Sequence, residues 1–178
     1  MSTTIIDSSV LKAAAIESMQ IMAHGDFADF ERVIHPEFFN HEAKDEPPEA
    51  RGRGPRPAYA TALWLRHAFA PLSFEVHEVV AEGDLVVVHN TMRGRHVNDF
   101  VSYKPDATID QVFAATGREF ASTQTHWLRM ADGMLVEHWA NRDDMATALQ
   151  CGWIPPTPRF LLRSLLARRR EQRRQSRP

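Results

Sequence analysis

The sequence has few of the residues that cross-link a chain or anchor it in a membrane. Its single cysteine, Cys151, excludes an intramolecular disulfide and indicates a reducing compartment. No run of about 18 apolar residues occurs, so we expect no membrane span. The N-terminal segment MSTTIIDSSVLKAA lacks the basic start and long apolar run of a signal peptide. We therefore expect a soluble, cytoplasmic protein.

Motifs for several kinds of chemistry are also absent. Nine histidines are present, but no His-x-His or His-x₃-His pair falls on one predicted element, and Cys151 stands alone. We therefore expect no metal. A Gly-x-Ser-x-Gly elbow and a glycine-rich phosphate loop are missing as well, which disfavours nucleophilic and nucleotide chemistry. We expect no cofactor.

Charge is nearly balanced but unevenly distributed. The formal net charge of −2 gives no general affinity for nucleic acid. Beyond residue 158, eight arginines and one glutamate give +7, whereas residues 1–158 carry thirteen basic and twenty-two acidic residues, or −9. We expect one domain over residues 1–156 and a basic tail, 157–178, that is a short helix or disordered. The tail is solvated, docks on a second subunit, or contacts a membrane surface or nucleic acid.

The pattern of apolar residues changes once along the chain. Helical spacing predicts helices over residues 10–23, 27–34 and 57–70. Between the last two, residues 38–41 are a short extended piece. Residues 42–56 hold three prolines and two glycines and are a candidate lid. From Leu72 onwards alternation predicts strands, so helices precede an antiparallel sheet in an α+β protein.

The most informative stretch is a predicted hairpin with strands over residues 122–130 and 134–141. Asp132-Gly133 forms its turn, because Asp-Gly between two such runs is a strong hairpin signal. Side chains alternate across a strand, so each strand offers one face to a pocket. We expect His138 to lie outside that pocket. The predicted pocket faces are Gln124, His126 and Leu128 on one strand, and Glu137, Trp139, Asn141 and Asp143 on the next.

Several segments together resemble a known family. They include HPEFFNHEA at 35–43, AEGDLV at 81–86 and DGMLVEHWANRDD at 132–144. Their order and spacing over residues 10–156 resemble the SnoaL-like polyketide cyclase (ester cyclase) group of the NTF2-like superfamily. The resemblance implies a cone in which N-terminal helices pack on a strongly curved, mainly antiparallel sheet. Residues 98–115 form a longer, more polar segment than the family suggests, placed to rim the mouth.

The resemblance also implies a chemistry. Family members close a ring in a polyketide ester by a cofactor-free intramolecular aldol reaction. Their acid/base aspartate lies four residues after the tryptophan, which gives Asp143, with Asp144 as second choice. The pKa of a carboxylate rises in an apolar cavity, which suits acid/base work. The alternative for Asp143 is a cap on the next helix.

The other candidate site residues surround this aspartate. His126 matches a histidine of the preceding strand and would donate a hydrogen bond to the enolate oxygen. It is otherwise a hydrogen-bonded core histidine. We expect Asn40 and His41 to line the pocket, His96 to lie at its rim and Trp139 to contact the substrate, a small hydrophobic or polyketide-like molecule.

Two other functions fit the same pattern. One is an isomerase or hydrolase that uses the same pocket, and the other is a non-catalytic small-molecule-binding or dimerisation module, because fold alone does not choose among them. Family members pair through the outer face of the sheet, so we expect a homodimer.

Overall fold

The computed structural model describes residues 7–176, which contain five α-helices and seven β-strands. The helices predicted over residues 10–23, 27–34 and 57–70 are all present, as is the hairpin with its turn at Asp132-Gly133. The helices are α1 (Ser8–His24), α2 (Phe27–Val33), α3 (Pro55–Ala68), α4 (Asp144–Cys151) and α5 (Pro158–Gln175). The strands are β1 (Ile34–Asn40), β2 (Ser73–Glu82), β3 (Leu85–Arg95), β4 (Phe100–Tyr103), β5 (Ile109–Phe113), β6 (Glu119–Ala131) and β7 (Met134–Arg142).

Five strands form one sheet in the order β1-β7-β6-β3-β2. β1 runs parallel to β7, and the other neighbours are antiparallel. Register shifts interrupt the β2–β3 pair between Val76 and Glu78 and the β6–β7 pair between Arg129 and Met130. Such bulges bend strands and increase twist, which favours a concave inner face. The α+β architecture with a curved, mainly antiparallel sheet is confirmed.

The N-terminal helices start where the sequence supplies caps. Asp7 Oδ1 accepts a hydrogen bond of 2.9 Å from Ser9 N–H at the start of α1. Asp26 and Asp29 form a reciprocal capping box on α2, with both bonds at 3.1 Å. Ala15, Phe30 and Ala62 on α1, α2 and α3 are completely buried in the core, and a cavity lies between α1, α3 and the concave face of the sheet.

The C-terminal segment differs from a solvated tail. α5 is an 18-residue helix that packs against the separate β4–β5 hairpin, and Ala167 is buried there beside Val101 and Val112. Arg163 Nη2 donates to Ala115 O at 2.6 Å. Sequence reasoning ended the packed domain at residue 156, but apolar packing continues into α5. Within residues 7–176, no helix is long and apolar enough to cross a membrane.

Candidate active site

The concave face of the sheet and the helices above it enclose a cavity of about 410 Å³. This volume lies in the range of small-molecule sites. Most of its wall is apolar, with Phe38, Trp64, Phe69, Phe100 and Trp153 among the lining residues. Phe100 and Phe113 come from the β4–β5 hairpin, so the long segment 98–115 forms one wall of the cavity.

A continuous row of hydrogen-bonded side chains crosses the other wall. We call it the polar arc, and its members come from β6, β7, β1, the loop after β1 and α3. Gln124 Oε1 lies 2.9 Å from His126 Nε2, and His126 Nδ1 lies 2.8 Å from His138 Nε2. The full polar arc is Gln124, His126, His138, Asn40, Glu46 and Thr61.

The second half of the polar arc ends on a carboxyl group. His138 Nδ1 lies 2.9 Å from Asn40 Oδ1, and Asn40 Nδ2 donates to Glu46 Oε1 at 3.2 Å. The Thr61 hydroxyl contacts Glu46 Oε2 and also lies 3.3 Å from Pro57 O. All six side chains line the cavity, so a ligand would meet a polar edge on an otherwise apolar surface.

One backbone group fixes the direction of these hydrogen bonds. Glu42 N–H donates to Asn40 Oδ1 at 3.1 Å, so His138 Nδ1, which faces the same oxygen, must carry a hydrogen. A neutral His138 then accepts at Nε2, and His126 Nδ1 is the donor. His126 Nε2 is therefore the lone-pair atom of a neutral polar arc.

The direction of these hydrogen bonds determines which group of the Gln124 amide can bond to His126. Its Oε1 faces His126 Nε2, and two acceptors face each other while His126 is neutral. Rotating the Gln124 amide by half a turn points its NH₂ group at the lone pair of His126 Nε2. If His126 takes up a proton instead, the present orientation, with Gln124 Oε1 facing Nε2, is favourable. His126 therefore donates a hydrogen bond to an enolate only when the polar arc holds an extra proton.

Burial disfavours charge on the ionisable side chains of the polar arc. Removal from water, then the charges of His138 and Arg142, hold the pKa of His126 well below its usual range. Burial, followed by the charges of Arg142 and His41, lowers the pKa of His138 to about 3. Burial also raises the pKa of Glu46, although its hydrogen bonds and the Arg142 charge oppose this. The two histidines are thus neutral near neutral pH, and burial favours the protonated form of Glu46.

Charged groups of the site are paired beside the polar arc. Arg142 lines the cavity and lies 3.7 Å from Glu42 Oε2 and 3.5 Å from Asp144 Oδ1. Among residues 7–176, no group of three or more His, Cys, Asp or Glu side chains is arranged to hold a metal ion. The site therefore combines an apolar wall, a neutral polar edge and an ion cluster.

Comparison with known proteins identifies the family. The family model for SnoaL-like polyketide cyclase matches residues 14–151. The chain belongs to the SnoaL-like polyketide cyclase family. It is 33% identical over 135 residues to aklanonic acid methyl ester cyclase DnrD of Streptomyces peucetius. This alignment covers 75% of this chain and 85% of that protein. It is 26% identical over 125 residues to nogalonic acid methyl ester cyclase of Streptomyces nogalater, covering 70% and 84%.

A solved structure supports the fold. TsrD from Streptomyces laurentii aligns with a TM-score of 0.66 at 22% identity, over 83% of this chain and 98% of that one. At this identity the likeness concerns the architecture alone.

The predicted catalytic pair is divided between two places. His126 is 6% exposed and central to the polar arc. Asp143 is exposed, and its Oδ1 accepts a 2.8 Å hydrogen bond from Ala146 N–H at the start of α4. This is the cap that sequence reasoning left as the alternative. The neighbouring Asp144 lines the cavity and Asp143 does not.

The predicted binding residues are also separated. Asn40 lines the cavity, but His41 is exposed and contacts Trp139 edge-on with ring centroids 5.7 Å apart. His96 is fully buried behind the cavity, where its Nδ1 accepts from Trp153 Nε1 at 3.3 Å and burial lowers its pKa to about 4. None of His41, His96 and Trp139 lines the described cavity.

The placement of His138 and Trp139 corrects the predicted face of β7. His138 pairs across the sheet with Leu128, which is fully buried, and both line the cavity. Trp139 pairs with Trp127 on the outer face. Alternation correctly grouped Trp139 with Glu137 and Asn141, but that group faces away from the cavity.

Sequence reasoning missed three residues of the site, His138, Glu46 and Arg142, and it placed Gln124 on a pocket face without giving it a role. Alternation from Leu128 across the hairpin could have found His138 and Arg142, since both oppose inward residues of β6. No local signal marked Glu46, because a single glutamate in a proline-rich loop is ordinarily solvated.

Proposed function

We propose that this protein closes a ring in a polyketide ester by an intramolecular aldol reaction, as a SnoaL-like cyclase. The observation that carries the proposal is the largely apolar cavity with one neutral polar edge, in a chain related to two methyl ester cyclases. Such a cavity suits a flat hydrophobic molecule whose few oxygens must be oriented.

The reaction itself demands little besides proton transfer. A base removes a proton from the carbon next to a carbonyl, and the resulting electron pair forms a bond to a ketone carbon within the same molecule. The ketone oxygen takes the π electrons and then a proton, which yields a hydroxyl group. Product and substrate are isomers, so no oxidant, reductant or cofactor is consumed.

We assign the proton-removing role to Asp143 and the enolate contact to His126. Asp143 lies between Arg142 and Asp144, which both line the cavity, and its carboxylate needs to release only Ala146 N–H to turn inward. His126 Nε2 becomes available when a ligand oxygen displaces the Gln124 amide, and it donates to that oxygen only when the polar arc holds an extra proton. Asn40 Oδ1 accepts from Glu42 N–H and His138 Nδ1, and these two bonds fix the direction of the hydrogen bonds that end at this nitrogen.

Turnover of a methyl ester substrate tests this function. Wild-type protein with aklanonic acid methyl ester should give a product of unchanged mass and new retention time, whereas a hydrolase would release methanol. Asp143→Asn should lower kcat by roughly 10²–10⁴-fold while keeping the fold, because Asn caps helices as well as Asp. Asp26→Asn, at the cap of α2, is the matched control.

The outcome separates the alternatives. Loss of turnover in Asp144→Asn alone would move the role to the neighbouring aspartate. Tight binding of the ester without any turnover in wild type would favour a non-catalytic binding protein, which the Asp143 cap also fits. An unchanged rate in Asp143→Asn would overturn its acid/base assignment.

We also propose a homodimer that pairs through the outer face of the sheet. An apolar stripe crosses four strands there in register: Val80 opposes Val87, Val87 opposes Trp127, and Trp127 opposes Trp139. Val80 is 62% exposed. A second copy would cover this stripe. The single buried thiol, Cys151, supports a place in the reducing cytoplasm.

A further inference from the structure

Glu46 is the one deeply buried carboxyl group within residues 7–176, and the proposed mechanism leaves it unused. It is 5% exposed and lines the cavity. The other carboxyl groups of the wall differ from it: Glu42 and Asp144 lie near Arg142, and Asp45 is exposed. Among residues 7–176, no Lys, Arg or His nitrogen lies within 4.0 Å of the Glu46 carboxyl oxygens. Burial of an unpaired carboxylate is costly, so the neutral acid is favoured.

The partners of Glu46 fit a protonated side chain. Asn40 Nδ2 donates to Oε1 at 3.2 Å, so the proton belongs on Oε2. The Thr61 oxygen contacts Oε2 and has Pro57 O at 3.3 Å as a second partner. Thr61 has one hydroxyl hydrogen; when it points to Pro57 O, the Thr61 oxygen accepts from Glu46 O–H. In this arrangement both carboxyl oxygens of Glu46 and the hydroxyl of Thr61 have hydrogen-bond partners.

Hydrogen bonds hold both ends of the loop that carries Glu46. Arg51 donates to Glu46 O through Nε at 3.1 Å and Nη2 at 2.9 Å, and to Lys104 O and Pro105 O at 2.8 and 2.9 Å. At the other end, Gly54 N–H donates to Phe38 O at 2.9 Å with φ of 90°. A side chain at Gly54 would place its Cβ 2.8 Å from Pro36 O, so this close approach requires glycine. The arginine cation binds backbone oxygens and leaves the Glu46 carboxyl unpaired.

We propose that Glu46 is a second catalytic residue, an uncharged carboxylic acid that donates its proton to the ketone oxygen as the ring closes. This role rests on the proposed aldol reaction, in which one proton leaves carbon and one proton is supplied to the ketone oxygen. The new carbon–carbon bond pushes the carbonyl π pair onto oxygen, and that oxygen takes the Oε2 proton. Glu46 leaves the step as a carboxylate, held by Asn40 and Thr61, and the proton removed from carbon restores it through solvent.

Asn40 gives this acid a fixed place relative to the histidines. Its amide accepts from His138 and Glu42 N–H and donates to Glu46, so one side chain orients both halves of the polar arc. An amide does not readily pass protons, so Asn40 transmits orientation and keeps the acid separate from His126. The structure therefore provides two independent proton positions in one cavity.

Glu46→Gln tests the proposal, because glutamine reproduces the hydrogen bonds of the neutral acid without a proton to give. Its carbonyl accepts from Asn40 and its NH₂ donates to Thr61, so folding and KM should be unchanged. We expect kcat to fall roughly 10²-fold or more. The wild-type rate should also fall as pH rises through the raised pKa of Glu46, and the variant should lack this limb. Glu49→Gln, on the exposed side of the same loop, is the matched control.

A second measurement does not depend on turnover. With ¹³C-labelled glutamate, the carboxyl signal missing from Glu46→Gln identifies Glu46 and should titrate above the ordinary range of glutamate. Titration within the ordinary range, or wild-type kcat in Glu46→Gln, would overturn the proposal. If wild type closes no ester while Glu46 stays protonated, the aldol function fails and the buried acid remains as a proton donor for another reaction.

Discussion

At the scale of single residues, burial disfavours charge on the ionisable side chains of the site. Two histidines and one glutamate in contact with a cavity would ordinarily carry charge or exchange protons with water. Here the backbone N–H of Glu42 occupies Asn40 Oδ1 as a donor, which requires a hydrogen on His138 Nδ1. His138 Nε2 is then an acceptor, and the hydrogen of His126 lies on its Nδ1. The lone pair at His126 Nε2 is thus set by a backbone amide on another element, which no local sequence pattern specifies.

The buried histidines predict an acid-sensitive fold. The folded pKa values of His126 and His138 lie below their unfolded values, so the stability they contribute is present above about pH 6.5 and is lost as pH falls. We expect the free energy of unfolding to drop by about 1–2 kcal/mol per histidine between about pH 6.5 and pH 5. Urea titrations across this range measure it.

His138→Gln should reduce this pH dependence because it removes one titrating ring. His67→Gln, an exposed histidine at the end of α3, is the control and should leave the slope unchanged. Equal slopes in wild type and His138→Gln would contradict the neutral polar arc.

At the scale of elements, the β6–β7 hairpin shows what local sequence specifies. The turn was predictable, since Asp132 and Gly133 both adopt positive φ, at 52° and 78°, as a tight primed turn requires. Alternation also assigned residues to two faces. It did not specify which face is inside, because the outer face carries Trp127 and Trp139 while the inner face carries Gln124 and His126. Only the helices packed above the sheet settle that choice.

The helix α5 is a second case, in which composition was misleading. Eight arginines suggested a solvated end, yet one side of the helix covers the β4–β5 hairpin. Ala167 is 1% exposed there, whereas the adjacent Leu166 is 50% exposed. Phe160 and Ala167 of this helix are buried while its four leucines are exposed, so hydropathy alone did not predict which side packs.

A pair of substitutions on α5 tests this packing. Ala167→Asp places an unpaired charge against Val101 and Val112 and should lower the free energy of unfolding by about 2–4 kcal/mol. Leu166→Asp adds the same charge on the exposed side and should change it by less than about 0.5 kcal/mol. Chemical denaturation followed by tryptophan fluorescence reports both, because Trp153 stacks on Phe113 of that hairpin. Equal effects would mean that α5 does not pack on the hairpin in solution.

At the scale of the whole molecule, residues 7–176 expose two apolar surfaces that are candidates for the proposed dimer interface. One is the stripe of Val80, Val87, Trp127 and Trp139 across the sheet. The other is the outer side of α5, where Leu161, Leu162, Leu165 and Leu166 are 49–59% exposed beside arginines. The stripe is flat, rigid and aromatic, which suits a symmetric interface, whereas the basic helix would approach the acidic body of a partner.

Two charge substitutions decide between these surfaces. Wild type should have the mass of a dimer by light scattering at micromolar concentration. Trp127→Glu places a charge in the middle of the stripe and should yield monomers, because two such charges would meet across a two-fold interface. Leu161→Glu, which adds the same charge to α5, should remain dimeric. The opposite result would assign the interface to α5, and it would leave the two tryptophans of the outer face exposed for a different partner.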